Sequence, residues 1–404
     1  MRGLPKMLFV LGAATSAVLV SAACADTQTL GSIVEPEADG STSLPPGPDS
    51  GPPPVPDAST DAPTDAPPRT CSDDDFCHTI LPDNQTLQAV WADGTGVAWA
   101  GTKFGAILRF DGKEWKIHAS GLGEINAVWG SSPTEIWAAG TKGVHRGTGA
   151  TSADVQFTPT PLEADAEVHI TSIWGTSATD VWAVGARTDG ATPPGRVYHF
   201  TGDTTDTGAP VWTLDPLSSQ EALAYDRVWG SAGSGVWITE VQPWGEWGAL
   251  QRSFLRKPAS SSTFESVPLP PIPDNDYPDD EIGDILGAAL ESDTSVWIVQ
   301  KTVFGRRSIY HGVSSDDGAS FTWTVTPYMV DDDLDFTALA GSPAGVWAAG
   351  KYGRLAKWDG KTFVQASIEL EPVPVINPFF GVWTAASGEV WAVGKGIALH
   401  RAKK

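Results

Sequence analysis

Four groups of side chains in this sequence have the types and spacing that could do chemistry. The histidines come first. His145, His199, His311 and His400 recur at one position of a repeat, where Arg109 and Lys357 also occur. A position shared with Arg and Lys reads as strand surface, and copies spread along the chain cannot converge on one ion. No His/Cys spacing fits a zinc site. The second group is the acidic run Asp274-Asn275-Asp276-Tyr277-Pro278-Asp279-Asp280-Glu281. It opens like a calcium loop, with Asp274, Asp276 and Asp279 as candidate ligands, but lacks the sixth-position Gly and closing Glu of an EF-hand. A solvated charge run is the expectation, calcium the alternative, and no other cofactor is implied. The third group is Trp244 and Trp247 in PWGEWG. An exposed aromatic pair suits a protein hot spot or sugar stacking, and a merely covered strand edge is the alternative. The fourth is Asp226-Arg227, standing where other repeats have Asn126-Ala127 or Thr171-Ser172. One register step decides whether these face a central channel. No Ser/His/Asp order and no phosphate-cradling Gly loop stands out.

The chain's beginning says where it works. Arg2 and Lys6 form a basic n-region, Met7 to Val20 is an apolar stretch of 14 residues, and Ser21-Ala22-Ala23 supplies small residues before Cys24. This is an export signal, too short to span a bilayer. Of three Cys, Cys71 and Cys77 lie six apart in CSDDDFC and read as a local disulfide, leaving Cys24 as the odd thiol. Residues 24–70 form a Pro/Asp-rich linker with almost no large apolar side chain, unable to bury enough surface to offset its ordering entropy. The formal charge of −23 repels phosphate backbones and excludes nucleic acid as a partner.

The elements that position the candidate residues come from a repeat. Trp91 and Trp99 are eight residues apart, as are Trp129 and Trp137, Trp174 and Trp182, Trp229 and Trp237, and Trp383 and Trp391. Two degenerate copies keep only Trp297 and Trp347, which makes seven copies at intervals of 38 to 60 residues. Each copy holds four short strand signals separated by Gly, Pro, Ser or Asp turns. That pattern predicts an all-β, seven-bladed β-propeller of four-stranded blades over residues 71–404. The last copy ends without a fourth strand, and Phe76–Leu81 aligns with one. The expectation is closure by an N-terminal strand on the last blade.

Two resemblances add to this. LVSAAC resembles the bacterial lipobox, with Ser21 where Leu or Val is usual; it implies removal of residues 1–23, lipidation of Cys24 and, with Ala25 rather than Asp next, the outer membrane. Ordinary cleavage after Ala23 or Ala25 is the alternative. The VWG…VWAVG repeat resembles the Trp-rich propeller lipoproteins of Gram-negative bacteria and, more distantly, the Asp-box propellers. The Asp-box pattern is met at Ser314, Asp316, Gly318 and Phe321. That family includes sialidases, but their Arg-Ile-Pro segment is absent here. Long, variable loops fall on one face, with economy on the other, as on a binding surface carried by a rigid scaffold. The expected function is a membrane-anchored, non-enzymatic binding propeller presenting that face to a protein or glycan. Trp244, Trp247, Asp226, Arg227 and the Asp274–Glu281 loop are its candidate contacts, and a glycan hydrolase or lyase at the channel mouth is the alternative.

Overall fold

The computed structural model describes residues 70–162, 167–245, 248–273, 281–328, 335–371 and 374–403. Cys24, the linker before residue 70, Trp247 and Asp274 to Asp280 lie outside them.

Seven separate four-stranded sheets follow one another along the chain, every strand pair antiparallel. The first blade comprises Leu87–Ala92, Ala98–Thr102, Ile107–Phe110 and Trp115–Ala119. Its second strand, AWAGT, is buried throughout, because it lies inside the sheet with another blade on each side. That is why these segments read as unbroken VWAAG or VWAVG rather than alternating. The spacing of eight has a simple cause: the two Trp are cross-strand partners, Trp91 opposite Trp99 and Trp129 opposite Trp137, across a tight turn. The fold is a seven-bladed β-propeller, and among the described residues the sole helical element is the single turn Pro216–Ser219.

The blades hold together through aromatic layers. Trp99, Trp137, Trp182, Trp237, Trp297, Trp347 and Trp391 are each at most 4% exposed. Each meets an aromatic ring of the next blade: Trp137 stands edge-on to Trp212 at 5.4 Å, Trp182 to Phe264 at 5.7 Å, and Trp391 to Trp115 at 5.3 Å. Such pairs add specificity to the large apolar area they bury. In blades 2 to 7 a cationic or imidazole side chain of the blade's own third strand covers the Trp, and in blade 1 His118 of the fourth strand stands edge-on to Trp99 at 4.8 Å. His199, His311 and His400 stack at 3.8, 3.8 and 4.1 Å. Arg146 and Arg256 lie over their rings at 5.2 Å.

That layer corrects the histidine alignment. Arg146, not His145, is the residue opposite Trp137, while His145 pairs with Ala138 and is buried. Blade 2 turns through the same two-residue loop as blade 7, Gly140 opposite Gly143 as Gly394 is opposite Ile397, so the residue facing Trp137 lies nine positions on, at Arg146, as His400 does from Trp391. The shared position is also more than strand surface. It carries a Trp-covering layer anchored by carboxylates, with His199 Nε2 2.7 Å from Asp180 and His400 Nε2 3.0 Å from Glu389.

The seventh sheet contains Phe379–Thr384, Val390–Gly394 and Ile397–Arg401, and its fourth strand is Cys77–His78, with Cys77 opposite His400. Cys71 and Cys77 are disulfide-bonded. Phe76, fully buried, stands edge-on to Trp347 at 5.4 Å, in the role that Trp212 and Trp115 play elsewhere.

Blade heights differ on the face bearing the turns between second and third strands. The second strand runs three residues past its Trp in blades 1, 2, 6 and 7, ending at Thr102, Gly140, Gly350 and Gly394. It runs on to Arg187, Trp244 and Thr302 in blades 3, 4 and 5. At about 3.3 Å per residue these arms rise roughly 7 to 13 Å above their neighbours.

Candidate functional site

The first strands line the central channel, and each has a one-residue bulge where it begins. The bulged residues are Gln88, Asn126, Thr171, Asp226, Leu286, Thr337 and Phe380, one per blade. Bulges re-aim side chains, and several of these reach the next blade. Asn126 donates to the Ile170 carbonyl at 2.9 Å, Thr171 to that of Tyr225 at 3.1 Å, and Thr337 to that of Phe379 at 2.6 Å. Polar residues at the mouth therefore act first as latches between blades.

Blade 4 departs from that scheme. Asp226 and Arg227 both line the channel. Arg227 takes the latch role, donating to the Ile285 carbonyl at 3.1 Å. Burial pulls its guanidinium below the ordinary value, with Asp226 opposing that and Arg252 adding to it. Asp226 accepts from the Thr239 hydroxyl and from Arg252 Nε at 2.6 Å. Arg252 also pairs with Asp284 at 3.0 Å and donates to the Gly283 carbonyl. One guanidinium thus holds two carboxylates in a charge network between blades 4 and 5.

Trp244 is half-buried at the end of its strand and stands edge-on to Phe304 of blade 5 at 5.6 Å. It is less exposed than an isolated pair of loop tryptophans would be. Glu281 is exposed, and its carbonyl accepts from Val303, the neighbour of Phe304, at 2.9 Å. The structure therefore brings Trp244 and Glu281 to one pair of hairpins. Trp247, Asp274, Asp276, Tyr277, Asp279 and Asp280 lie outside the described residues. Among the described residues no group of three or more His, Cys, Asp or Glu side chains is placed to hold a metal ion.

Ser314, Asp316, Gly318 and Phe321 form a self-bonded turn between third and fourth strands, at the end of blade 5 away from the mouth. Ser314 donates to Asp316 at 2.6 Å and accepts from the Gly318 amide at 2.8 Å. Hydrogen bonds from Ser314 and then Ser320 hold the Asp316 carboxyl well below its usual range. Phe321 packs edge-on to Trp237 at 5.4 Å. These four residues do structural work.

Sequence reasoning passed over a second set of aromatics. Phe104, Phe304 and Tyr352 sit at the tips of equivalent turns in blades 1, 5 and 6, and are 71%, 59% and 63% exposed. The turns are fixed: Lys103, Val303 and Lys351 each donate to the carbonyl leading into their own first strand. Tyr352 is held at φ 54°, a conformation that side chains with a β-carbon disfavour. A lysine precedes the aromatic in two of these turns, and Lys142 and Lys395 occupy the corresponding turns of blades 2 and 7. The signal was present in sequence as the recurring Lys-Phe-Gly, Val-Phe-Gly and Lys-Tyr-Gly after each second strand.

No family model matches the chain, and no curated protein matches it in sequence. Solved structures do match in fold. The extracellular domain of a hybrid two-component system from B. thetaiotaomicron aligns over 80% of this chain and 39% of its own, with 12% identity and TM-score 0.55. YCF48 bound to D1 peptide aligns over 81% and 97%, with 16% identity and TM-score 0.55. The RRP9 WD40 repeats align over 83% and 100%, with 10% identity and TM-score 0.52. The chain thus spans about two fifths of the sensor ectodomain it matches. At these identities the likenesses show the propeller fold alone.

Proposed function

We propose that this protein is a non-enzymatic binding propeller, exported and tethered by a lipid on Cys24, whose channel-mouth face docks a protein partner. The observation that carries the reading is the set of exposed aromatic turn tips Phe104, Phe304 and Tyr352. Three equivalent turns leave most of each ring exposed, Phe304 with an edge-on contact to Trp244 and Tyr352 at an unfavourable φ, and none of the three belongs to the buried core. Aromatic side chains projecting from a rigid scaffold are the usual anchors of binding hot spots. Support also comes from YCF48, a propeller solved with a bound peptide. The export signal and the extracellular setting of the sensor-domain neighbours agree with a role outside the cytoplasm. The charge network at Asp226, Arg252 and Asp284 serves in this reading to stiffen the wall of the docking face, not to transfer protons.

The test is a triple variant, Phe104→Ala, Phe304→Ala and Tyr352→Ala, compared with wild type in cross-linking on the native membrane. Unchanged melting with loss of the cross-linked species supports the reading. The same cross-linked species at undiminished yield refutes it.

A further inference from the structure

The turns between second and third strands change character around the ring. In the low blades 6, 7, 1 and 2, consecutive about the channel, they read Lys351-Tyr352-Gly353-Arg354, Lys395-Gly396, Lys103-Phe104-Gly105 and Thr141-Lys142. Each carries a lysine and none an acid, on a chain whose formal charge is −23. The raised blade 3 has Asp189 in the corresponding turn, ion-paired with Arg187.

One backbone hydrogen bond fixes all four low turns alike. The amides of Lys103, Thr141, Lys351 and Lys395 donate at 2.9 to 3.0 Å to the carbonyls of Thr86, Glu124, Asp335 and Pro378, each the residue just ahead of its blade's first strand. The lysines are exposed. Among the described residues no acid pairs with Lys103, Lys142 or Lys395, and Lys142 donates to the Gly121 carbonyl at 2.9 Å. Lys351 shares Asp335 with Arg307, two cations on one carboxylate. Glu124 accepts from Gln88 at 2.6 Å, while Asp83 and Glu371 are exposed acids outside these turns. Apolar surface accompanies the charge: besides Phe104 and Tyr352, Ile376 is 69% and Phe380 37% exposed where the chain enters blade 7.

The shape of the arc decides what can cover it. Sheets packed face to face stand about 10 Å apart, so turn tips of successive blades recur at about that distance. A polyproline II chain advances about 3.1 Å per residue and turns once in three, so every third side chain lies on one side and meets a new blade. A planar membrane would rest first on the arms of blades 3 to 5, roughly 7 to 13 Å above the arc. A second copy would set the same lysines against these. We infer that the low arc binds an extended segment of a partner protein, with an acidic residue at about every third position and apolar or aromatic side chains between. The inference rests on the docking role proposed above and adds the partner's chemistry.

Fluorescence anisotropy with the full-length mature protein tests it, using a labelled, capped (Glu-Ala-Phe)4 peptide as probe and (Gln-Ala-Phe)4 as its uncharged control. The acidic peptide should bind saturably below about 1 mM at low salt, at least about tenfold tighter than the control, and weaken as salt rises. Lys103→Gln, Lys142→Gln and Lys395→Gln combined should weaken it about tenfold with melting unchanged, and the corresponding Arg variants should restore it. Equal affinity for the two peptides, or an affinity unmoved by the triple Gln variant, overturns the assignment. So does lysine-dependent binding to phosphatidylcholine vesicles containing phosphatidylglycerol in place of the peptide, which gives the arc to a membrane. Tighter binding by a synthetic peptide of residues 45–68 gives it to the chain's own linker and overturns it equally. If the aromatic triple variant abolishes the cross-linked species while the lysine variant leaves it intact, the docking role stands and the acidic partner falls.

Discussion

Replacing Phe76 by alanine should lower the melting temperature by several degrees, although the residue lies in a segment with a ladder of only two paired residues. The ring is fully buried against Trp347, Leu355, Ile368, Phe379 and Leu399, so its removal empties a space bounded by blades 6 and 7. Truncation of a buried Phe costs about 3–5 kcal/mol, the spread depending on how far the surroundings collapse. A folded unit of roughly 330 residues unfolds with an entropy of about 0.7 kcal/mol/K, so the shift should be about 4–7 °C. The Cys71–Cys77 bridge keeps the segment compact but cannot replace the lost ring. Differential scanning calorimetry measures this directly. A chain beginning at Leu87 should melt lower still, because it also exposes the edge of Ile397–Arg401. The reasoning is refuted if Phe76→Ala melts within about 1 °C of wild type and the shortened chain is as stable as one beginning at Thr70.

Gly185→Ala should destabilise by more than about 2 kcal/mol in chemical denaturation, since its β-carbon would meet the His169 carbonyl oxygen at 2.0 Å. Denaturation midpoints unchanged by the substitution would mean that the lead-in to blade 3 yields freely. Burial of Glu389 works to raise its pKa, but hydrogen bonds from His400 and from Trp391 Nε1 outweigh that and leave it lowered from 4.5. A depressed carboxylate stabilises fully above its unfolded value and loses that contribution as pH falls through the folded one. Melting curves recorded down to pH about 3 should therefore show a steeper acid loss in wild type than in Glu389→Gln. Finally, intact-mass analysis of the membrane fraction should show a lipid-sized increment that Cys24→Ala removes; an unmodified soluble chain beginning near Asp26 would count against tethering.

Blade number and strand order were legible because Trp spacing reports hairpin geometry: partners such as Trp174 and Trp182 must sit eight apart across a fixed turn. The degenerate copies at Trp297 and Trp347 kept enough of the second strand to be counted. Pairing on the far side of each second strand was harder, because the next turn varies in length from blade to blade, and the recurrence of histidine drew attention to His145 when its neighbour Arg146 is the residue opposite Trp137. Which first-strand residues face the channel was illegible for a related reason. A bulge at Asp226 breaks the alternation from which inward and outward are read. The exposed rings of Phe104 and Tyr352 looked like ordinary turn residues until their solvent exposure was known.

The unequal heights of the blades bear on how a partner is oriented. A disc of seven similar blades would offer an incoming molecule seven nearly equivalent poses. Discriminating one pose from seven is worth RT ln 7, about 1.1 kcal/mol, which scattered contacts would have to supply. The raised arms ending at Arg187, Trp244 and Thr302 occupy three consecutive blades and remove that rotational degeneracy by shape alone. Under the proposed docking role, a ligand of the low side, where Phe104, Tyr352 and Phe380 lie, would be registered in one angular setting about the channel axis before any side chain makes its contact.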